Sequence, residues 1–295
     1  MFQVIAAILG KRLIHSDGRT WPWPRLRPVR KLFRTIFHLR DKFTKDVEIV
    51  DGSARYRFRC ETFDEFSRCM KMFIKEPGTC AWISGNVKPG QVFYDIGANI
   101  GIYSIHAAER VGNKGKVFAF EPHSANFTRL LDNIAANHLE DVIIPCALAL
   151  HDKDGFLSFR YSSFQAGSSD SQLSSSSDGP ASEEQNKICE LKYAVSIDTL
   201  VASGKFSPPH HIKIDVDGNE LFILRGMAKL LTGAERPDTI QVEINKSFRA
   251  EIVNFMESHG YILTQTHRTR YGSELVEQGV GAEEHAYNII FRQRI

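Results

Sequence analysis

The chain has 295 residues, 42% hydrophobic and 24% charged, a size and balance that fit one large soluble α/β domain with additions. A net charge of +2 leaves no overall nucleic-acid footprint. Five scattered cysteines (Cys60, Cys69, Cys80, Cys146, Cys189) show no CxxC pair and no Cys/His zinc spacing, so they read as apolar fillers in a reducing, cytoplasmic setting.

The opening "MFQVIAAILG" is too short to span a bilayer, and its positive charges follow the apolar run instead of preceding it, so neither a signal peptide nor a transmembrane segment is expected. "WPWPRLRP" (21–28) must be extended, because its prolines remove donors and restrict their neighbours. Next, Val29, Leu32, Phe33, Ile36 and Phe37 recur at helical spacing beside Arg30, Lys31, Arg34 and Arg40. Residues 1–46 thus form a basic amphipathic arm, fit either to lie on an anionic membrane surface at its inner face or to pack on the main domain with a solvated basic side.

Residues 47–89 read as a hairpin, with Asp51-Gly52 at its turn, followed by a helix that Pro77-Gly78 stops. From Gly90 strands and helices alternate: strand 91–96, helix 100–111, strand 116–121, helix 123–138, strand 141–150. A strand at 155–161 precedes the Ser-rich stretch 162–187, expected to be a mobile surface loop. "CELKYAVSI" pairs back with 155–161 and "DTLVAS" is a short helix, after which the rhythm resumes: strand 211–216, helix 219–231, strand 238–244, helix 247–258, strand 260–266. A final strand, 286–292, follows another directly and is expected to lie antiparallel at the sheet edge. Residues 90–295 therefore read as a doubly wound α/β domain of about seven strands.

In such a sheet the first βα turn forms the ligand site, and here it is "VFYDIGANIG" (92–101). Gly97 and Gly101 stand four apart, which is not the GxGxxG of dinucleotide sites, and no Gly-Lys-Ser/Thr follows. Asp95 repels a pyrophosphate but suits an ammonium group. Glu121, twenty residues after Gly101, stands where an acidic residue accepts both hydroxyls of a ribose. Together they describe a cationic amino acid joined to a ribose, the two ends of S-adenosylmethionine.

The segments "VFYDIGANIGIYSI", "FAFEP", "ALALHDKDG", "VSIDTL" and "IKIDVDGNELFILRGM", in this order, resemble the FkbM family of S-adenosylmethionine-dependent methyltransferases over about residues 74–245. The resemblance implies a class I methyltransferase, Rossmann-like fold and methyl transfer to a hydroxyl of a sugar, glycan or polyketide-like acceptor. By motif position Asp95, Gly97, Ala98, Asn99 and Gly101 would hold the methionine end, Glu121 the ribose, and Ala147 and Leu148 would lie near adenine.

Methyl transfer to a hydroxyl needs alignment and a proton acceptor or a metal. Asp215 and Asp217, expected on one face of an extended strand, rank first as the base, then Glu243; Asp215, Glu243 and Asn245 offer a divalent cation oxygen ligands instead. Glu220 reads as charge complementarity at a helix start. His123, His210, His211, His267 and His285 default to solvated or capping roles, with His267 and His285 bracketing a loop that reaches toward the acceptor. The competing classes are a nicotinamide oxidoreductase and a non-catalytic partner-binding module of the same fold.

Overall fold

A computed structural model describes residues 45–174, 188–244, 248–269, 273 and 286–294. The chain divides into units Met1–Lys45 and Asp46–Ile295, and everything below concerns the second; the basic arm lies outside the described residues. No helix among the described residues is long and apolar enough to cross a membrane.

In chain order the elements are β1 (Lys45–Asp51), β2 (Ala54–Cys60), α1 (Phe63–Met70), α2 (Met72–Lys75), α3 (Pro77–Asn86), β3 (Val92–Ile96), α4 (Ile102–Val111), β4 (Lys116–Phe120) and α5 (Ser124–Ala136). They continue with β5 (Ile143–Cys146), β6 (Ala149–Leu150), β7 (Gly155–Arg160), β8 (Gln172–Leu173), β9 (Cys189–Val195) and α6 (Ile197–Ala202). The last are β10 (His211–Ile214), α7 (Glu220–Arg225), α8 (Ala228–Thr232), β11 (Thr239–Ile244), α9 (Arg249–Ser258), β12 (Tyr261–Arg268) and β13 (Tyr287–Gln293).

The main sheet has seven strands in the order β5-β4-β3-β10-β11-β13-β12. Its pairs from β5 to β11 are parallel, and β13 is antiparallel to both its neighbours. This is the arrangement expected of a class I methyltransferase, with one correction: β13 is inserted between β11 and β12, not placed at the edge. Ile289, Ile290 and Phe291 are buried on both faces, an environment an edge strand does not provide.

Strand alternation gives the sheet two cores. Tyr94, Ile96, Ile212, Ile214, Ile240 and Val242 bury one face, and Phe93, Trp82, Ile105, Val117 and Ile290 the other. On the second face the register sets Asp95 opposite Lys213, Lys213 opposite Gln241 and Glu243 opposite Asn288. A row of polar side chains thus crosses the middle of an apolar layer.

The hairpin β1–β2 alternates as its sequence implies, with Tyr56, Phe58 and Cys60 buried and the arginines outward. Its backbone is tied to α5, where Asn137 and Asn133 side-chain oxygens accept the Arg57 and Arg59 N–H groups at 2.8 and 2.7 Å. The helix after it differs from expectation. A Thr62/Glu65 capping box opens α1, breaks fall at Lys71 and Glu76, and Pro77 starts α3 instead of ending a helix. Proline's fixed φ and missing N–H suit the first helical position, where that donor has no partner to lose.

Three further boundaries move. The strand expected over 141–150 breaks into β5 and β6, the helix over 219–231 breaks at Gly226-Met227, and β10 stops at Ile214, so Asp215 and Asp217 stand on a turn and not within a strand. Of the Ser-rich stretch, 175–187 lies outside the described residues, while 162–174 is pinned by hydrogen bonds over the crevice. Four cysteines are buried and Cys189 is exposed.

Candidate active site

The order of parallel strands reverses between β3 and β10, and a crevice forms there at the strands' C-terminal ends. It is a cavity of about 340 Å³ whose walls include Gly97, Ala98, Asn99, Glu121, Leu148, Lys213, Asp215, Asp217 and Glu243, a size within the range of small-molecule sites.

The floor is the turn after β3. Gly97, Asn99 and Gly101 adopt left-handed φ angles of +78°, +51° and +91°, which turn the chain from the strand into α4. At Gly97 the need for glycine comes from the protein itself: a Cβ there would stand 1.9 Å from the Asp215 carbonyl oxygen. Gly97 and Ala98 N–H groups both donate to the Phe120 carbonyl at 3.0 Å, and Gly101 N–H donates to Ala98. Asn99 N–H donates to Glu121 Oε2 at 2.7 Å. With its amides spent within the protein, the turn offers no nest to a phosphate.

Glu121 receives a second N–H, from His123 at 2.8 Å. Burial nevertheless pushes its carboxyl up to about 7, against those two hydrogen bonds. Each carboxylate oxygen keeps a second lone pair, so a diol can still donate to it. The following helix starts at Ser124, with His123 and not Pro122 at its cap; His123 Nδ1 accepts the Asn126 N–H, leaving Nε2–H to donate to the Ser163 carbonyl at 2.8 Å.

Asp95 does not reach the cavity wall. It is fully buried, accepts the Ser104 hydroxyl at 2.6 Å and faces Lys213 Nζ at 3.5 Å. Direct contact with a ligand's ammonium group is therefore not what its placement offers, because its side chain points into the layer under α4. Burial raises its carboxyl, outweighing Lys213 and Ser104. Gly101 and the exposed Ala147 also lie off the wall, whereas Leu148 is on it.

Lys213, 1% exposed, also holds Asp215 at 2.9 Å. Burial would raise the Asp215 carboxyl, but Lys213, Lys75 and hydrogen bonds hold it at about 2. Glu243 beside it is driven well above the carboxylate range, first by the Asp215 charge and then by burial. The two carboxyls thus share one proton, which rests on Glu243 because Lys213 sits on Asp215. Burial pushes Asp217 up to about 6, and its Oδ2 accepts the Asp170 N–H at 2.7 Å.

Several wall residues escaped the sequence reading. Lys213 carried a signal, a lysine inside the apolar "HIKIDV", and Glu76 did not, since it preceded a supposed helix stop. Glu76 is 3% exposed and meets Lys75 at 3.1 Å and Asn288 at 3.4 Å. The segment 163–173 forms a strap over the cavity. Ser168 carbonyl accepts the Asn99 and Asn126 amides at 2.9 and 3.2 Å, and Gly167 N–H donates to Asn126 at 2.8 Å. Arg68 binds the Gly167 carbonyl and Ser169 hydroxyl.

Among the described residues no group of three or more His, Cys, Asp or Glu is placed to hold a metal ion, and Asn245, the third residue of the cation set, lies outside them, as does His285. Glu220 stands off the wall; its carboxylate accepts the Gly218 N–H at 3.2 Å and steadies the turn before α7. His210 and His211 belong to the opposite, N-terminal end of β10. His267 bonds Gln265 at 3.0 Å, away from the cavity wall.

The family model described as "Methyltransferase FkbM domain" matches residues 95–263. The hexuronic acid methyltransferase AglP of Haloferax volcanii is 29% identical over 182 residues, 62% of this chain and 68% of that protein. The crystal structure of a methyltransferase FkbM from Methylobacillus flagellatus aligns with TM-score 0.45 at 15% identity, over 72% of this chain and 47% of that one. Aeropyrum pernix fibrillarin with bound S-adenosyl-L-methionine aligns at 0.44 and 9% identity, over 83% and 82%. The domain match, spanning more than half the chain from the first carboxylate of the crevice to β12, carries the assignment: this chain belongs to the FkbM family of S-adenosylmethionine-dependent methyltransferases.

Proposed function

We propose that the chain methylates a hydroxyl oxygen of a sugar-type acceptor, with Asp215 receiving the hydroxyl proton. The observation that carries this reading is the Lys213–Asp215–Glu243 cluster on the cavity wall. The sugar is supported by the hexuronic acid methyltransferase relative.

The carboxylates around the crevice and the absence of free turn amides fit S-adenosylmethionine, whose sulfonium supplies an electrophilic methyl group. Gly97, Ala98 and Asn99 would hold its amino-acid end, Glu121 its ribose and Leu148 its base. The chain's other task is to place an oxygen in line and to accept a proton while water is kept out. A carboxyl held at about 2 is a weak base toward a free alcohol. As the new carbon–oxygen bond forms, however, the hydroxyl proton becomes strongly acidic, and an ionised carboxylate suffices to take it. Lys213 keeps Asp215 ionised, and Glu243, already protonated, donates a hydrogen bond that orients it.

Titration calorimetry and transfer of labelled methyl into sugar acceptors test this reading. Asp215→Asn is expected to bind S-adenosylmethionine within a few-fold of wild type while transfer falls by about 100-fold or more. The product should resist mild alkali, as an ether does. An alkali-labile ester, or undiminished transfer by the variant, removes the base role from Asp215; a wild-type protein that does not bind S-adenosylmethionine overturns the whole reading.

A further inference from the structure

Lys71 and Lys75 stand four residues apart across the break between α1 and α2, and both line the cavity. Their side of it is set by contacts. Glu121 and Leu148 follow β4 and β5, on one flank of the β3–β10 crevice, whereas Asp215, Glu243 and Asn288 follow β10 and β11 or lie on β13, on the other. Lys75 pairs with Glu76 at 3.1 Å, Glu76 is bonded to Asn288, and the Lys75 charge helps keep Asp215 ionised. The lysines therefore border the flank holding the proposed proton acceptor, away from the ribose carboxylate.

Most charges on this flank are matched within the protein. Lys213 answers Asp95 and Asp215, Lys75 answers Glu76, and Arg68 is committed to the strap. Lys71 is different: its side chain is exposed on the cavity wall, and among the described residues no carboxylate pairs with it. A cation without an internal partner, facing a cavity one turn from a second cation, is a seat for an anionic group on what enters.

Building on the methyl-transfer reading above, we propose that the acceptor is an anionic sugar, its carboxylate or phosphate held by Lys71 with Lys75 while the neutral hydroxyl to be methylated faces Asp215. No bond is made to the lysines. They set which acceptor binds and how it is turned.

The test uses the full chain, without and with S-adenosylhomocysteine, and three probes differing in charge: glucose, glucuronate and glucose 6-phosphate. Either anionic probe should bind at least about 10-fold more tightly than glucose at low salt, and whichever does so names the source of the charge. Lys71→Gln should abolish the preference and Lys75→Gln reduce it, with affinity for S-adenosylmethionine unchanged within about twofold. Equal binding of all three probes, or no binding of any, overturns the proposal. So does a Lys71→Gln protein that loses affinity for S-adenosylmethionine instead, since the lysine then holds the carboxylate of the cofactor. If wild type binds S-adenosylmethionine and shows no anion preference, this proposal alone fails; if it does not bind S-adenosylmethionine, the methyl-transfer reading fails first.

Discussion

Lys213 carries the charge balance of the crevice. It is a buried ammonium between two carboxylates, 3.5 Å from Asp95 and 2.9 Å from Asp215, with the Tyr103 ring 5.1 Å away. Replacing it by methionine keeps much of the volume but leaves Asp95 buried without a cation. Loss of about 3–5 kcal/mol is expected, because an uncompensated buried charge retains its desolvation cost. Urea unfolding at pH 7 of Lys213→Met against wild type measures it. The loss should shrink toward pH 5, where Asp95, whose carboxyl is already raised, takes up a proton in the folded variant. In the sequence Asp95 and Glu121 were legible as the carboxylates of a class of ligand, yet Asp95 meets Lys213 and not the ligand. Strand register decides that: Asp95 and Lys213 are 118 positions apart in the chain and directly opposite in the sheet. No local pattern encodes such a pairing.

At the level of elements, the strap shows what composition hides. Its serines and glycines bury little, and a mobile loop is the natural reading of such a run. Residues 163–173 are nevertheless held by side chains from three separate elements, Arg68 of α1, Asn126 of α5 and Asn99 of the β3–α4 turn. Asn126 alone closes two of these bonds, to Gly167 and Ser168. Asn126→Ala should therefore loosen the strap with only about 1–2 kcal/mol of global cost. Hydrogen exchange at Gly167 should accelerate markedly while the amides of β3 and β10 keep their protection, and a uniform acceleration throughout the sheet would show that the strap does not open as a unit. The insertion of β13 was likewise beyond the sequence. Direct succession of two strands implies an antiparallel pair, but not which gap the second enters; the two-sided burial of Ile289 and Phe291 settles it.

Over the whole molecule, the buried titrating groups divide into two sets with opposite effects on stability. Glu121 and Glu220 are pushed up by burial to about 7, and Asp217 to about 6. The folded protein then binds more protons than the unfolded chain, so these groups lower stability as pH rises through that window. His106 and His211 are pushed down by burial to about 4. They bind fewer protons when folded, so their share of stability rises as pH climbs from about 4 to 6.5. Below about pH 6.5 the sets offset one another. Above it only the carboxyls still titrate, and stability should fall by about 1 kcal/mol between pH 6.5 and 7.5 before levelling off. Urea midpoints in this range check it; a rising midpoint would mean that Glu121 and Glu220 are ionised in the fold.

By itself the sequence determined the alternation of strands and helices, the turn at Gly97 and the family, because these rest on short-range periodicity and on spacings within one βα unit. Tertiary structure decided which carboxylates reach the cavity, that Lys213 neutralises two of them, that Glu243 keeps the proton and that a polar strap roofs the crevice. The reason is the same in each case. These features depend on the energy of charges and hydrogen bonds brought out of water, and that energy exists only once distant segments exclude the solvent between them.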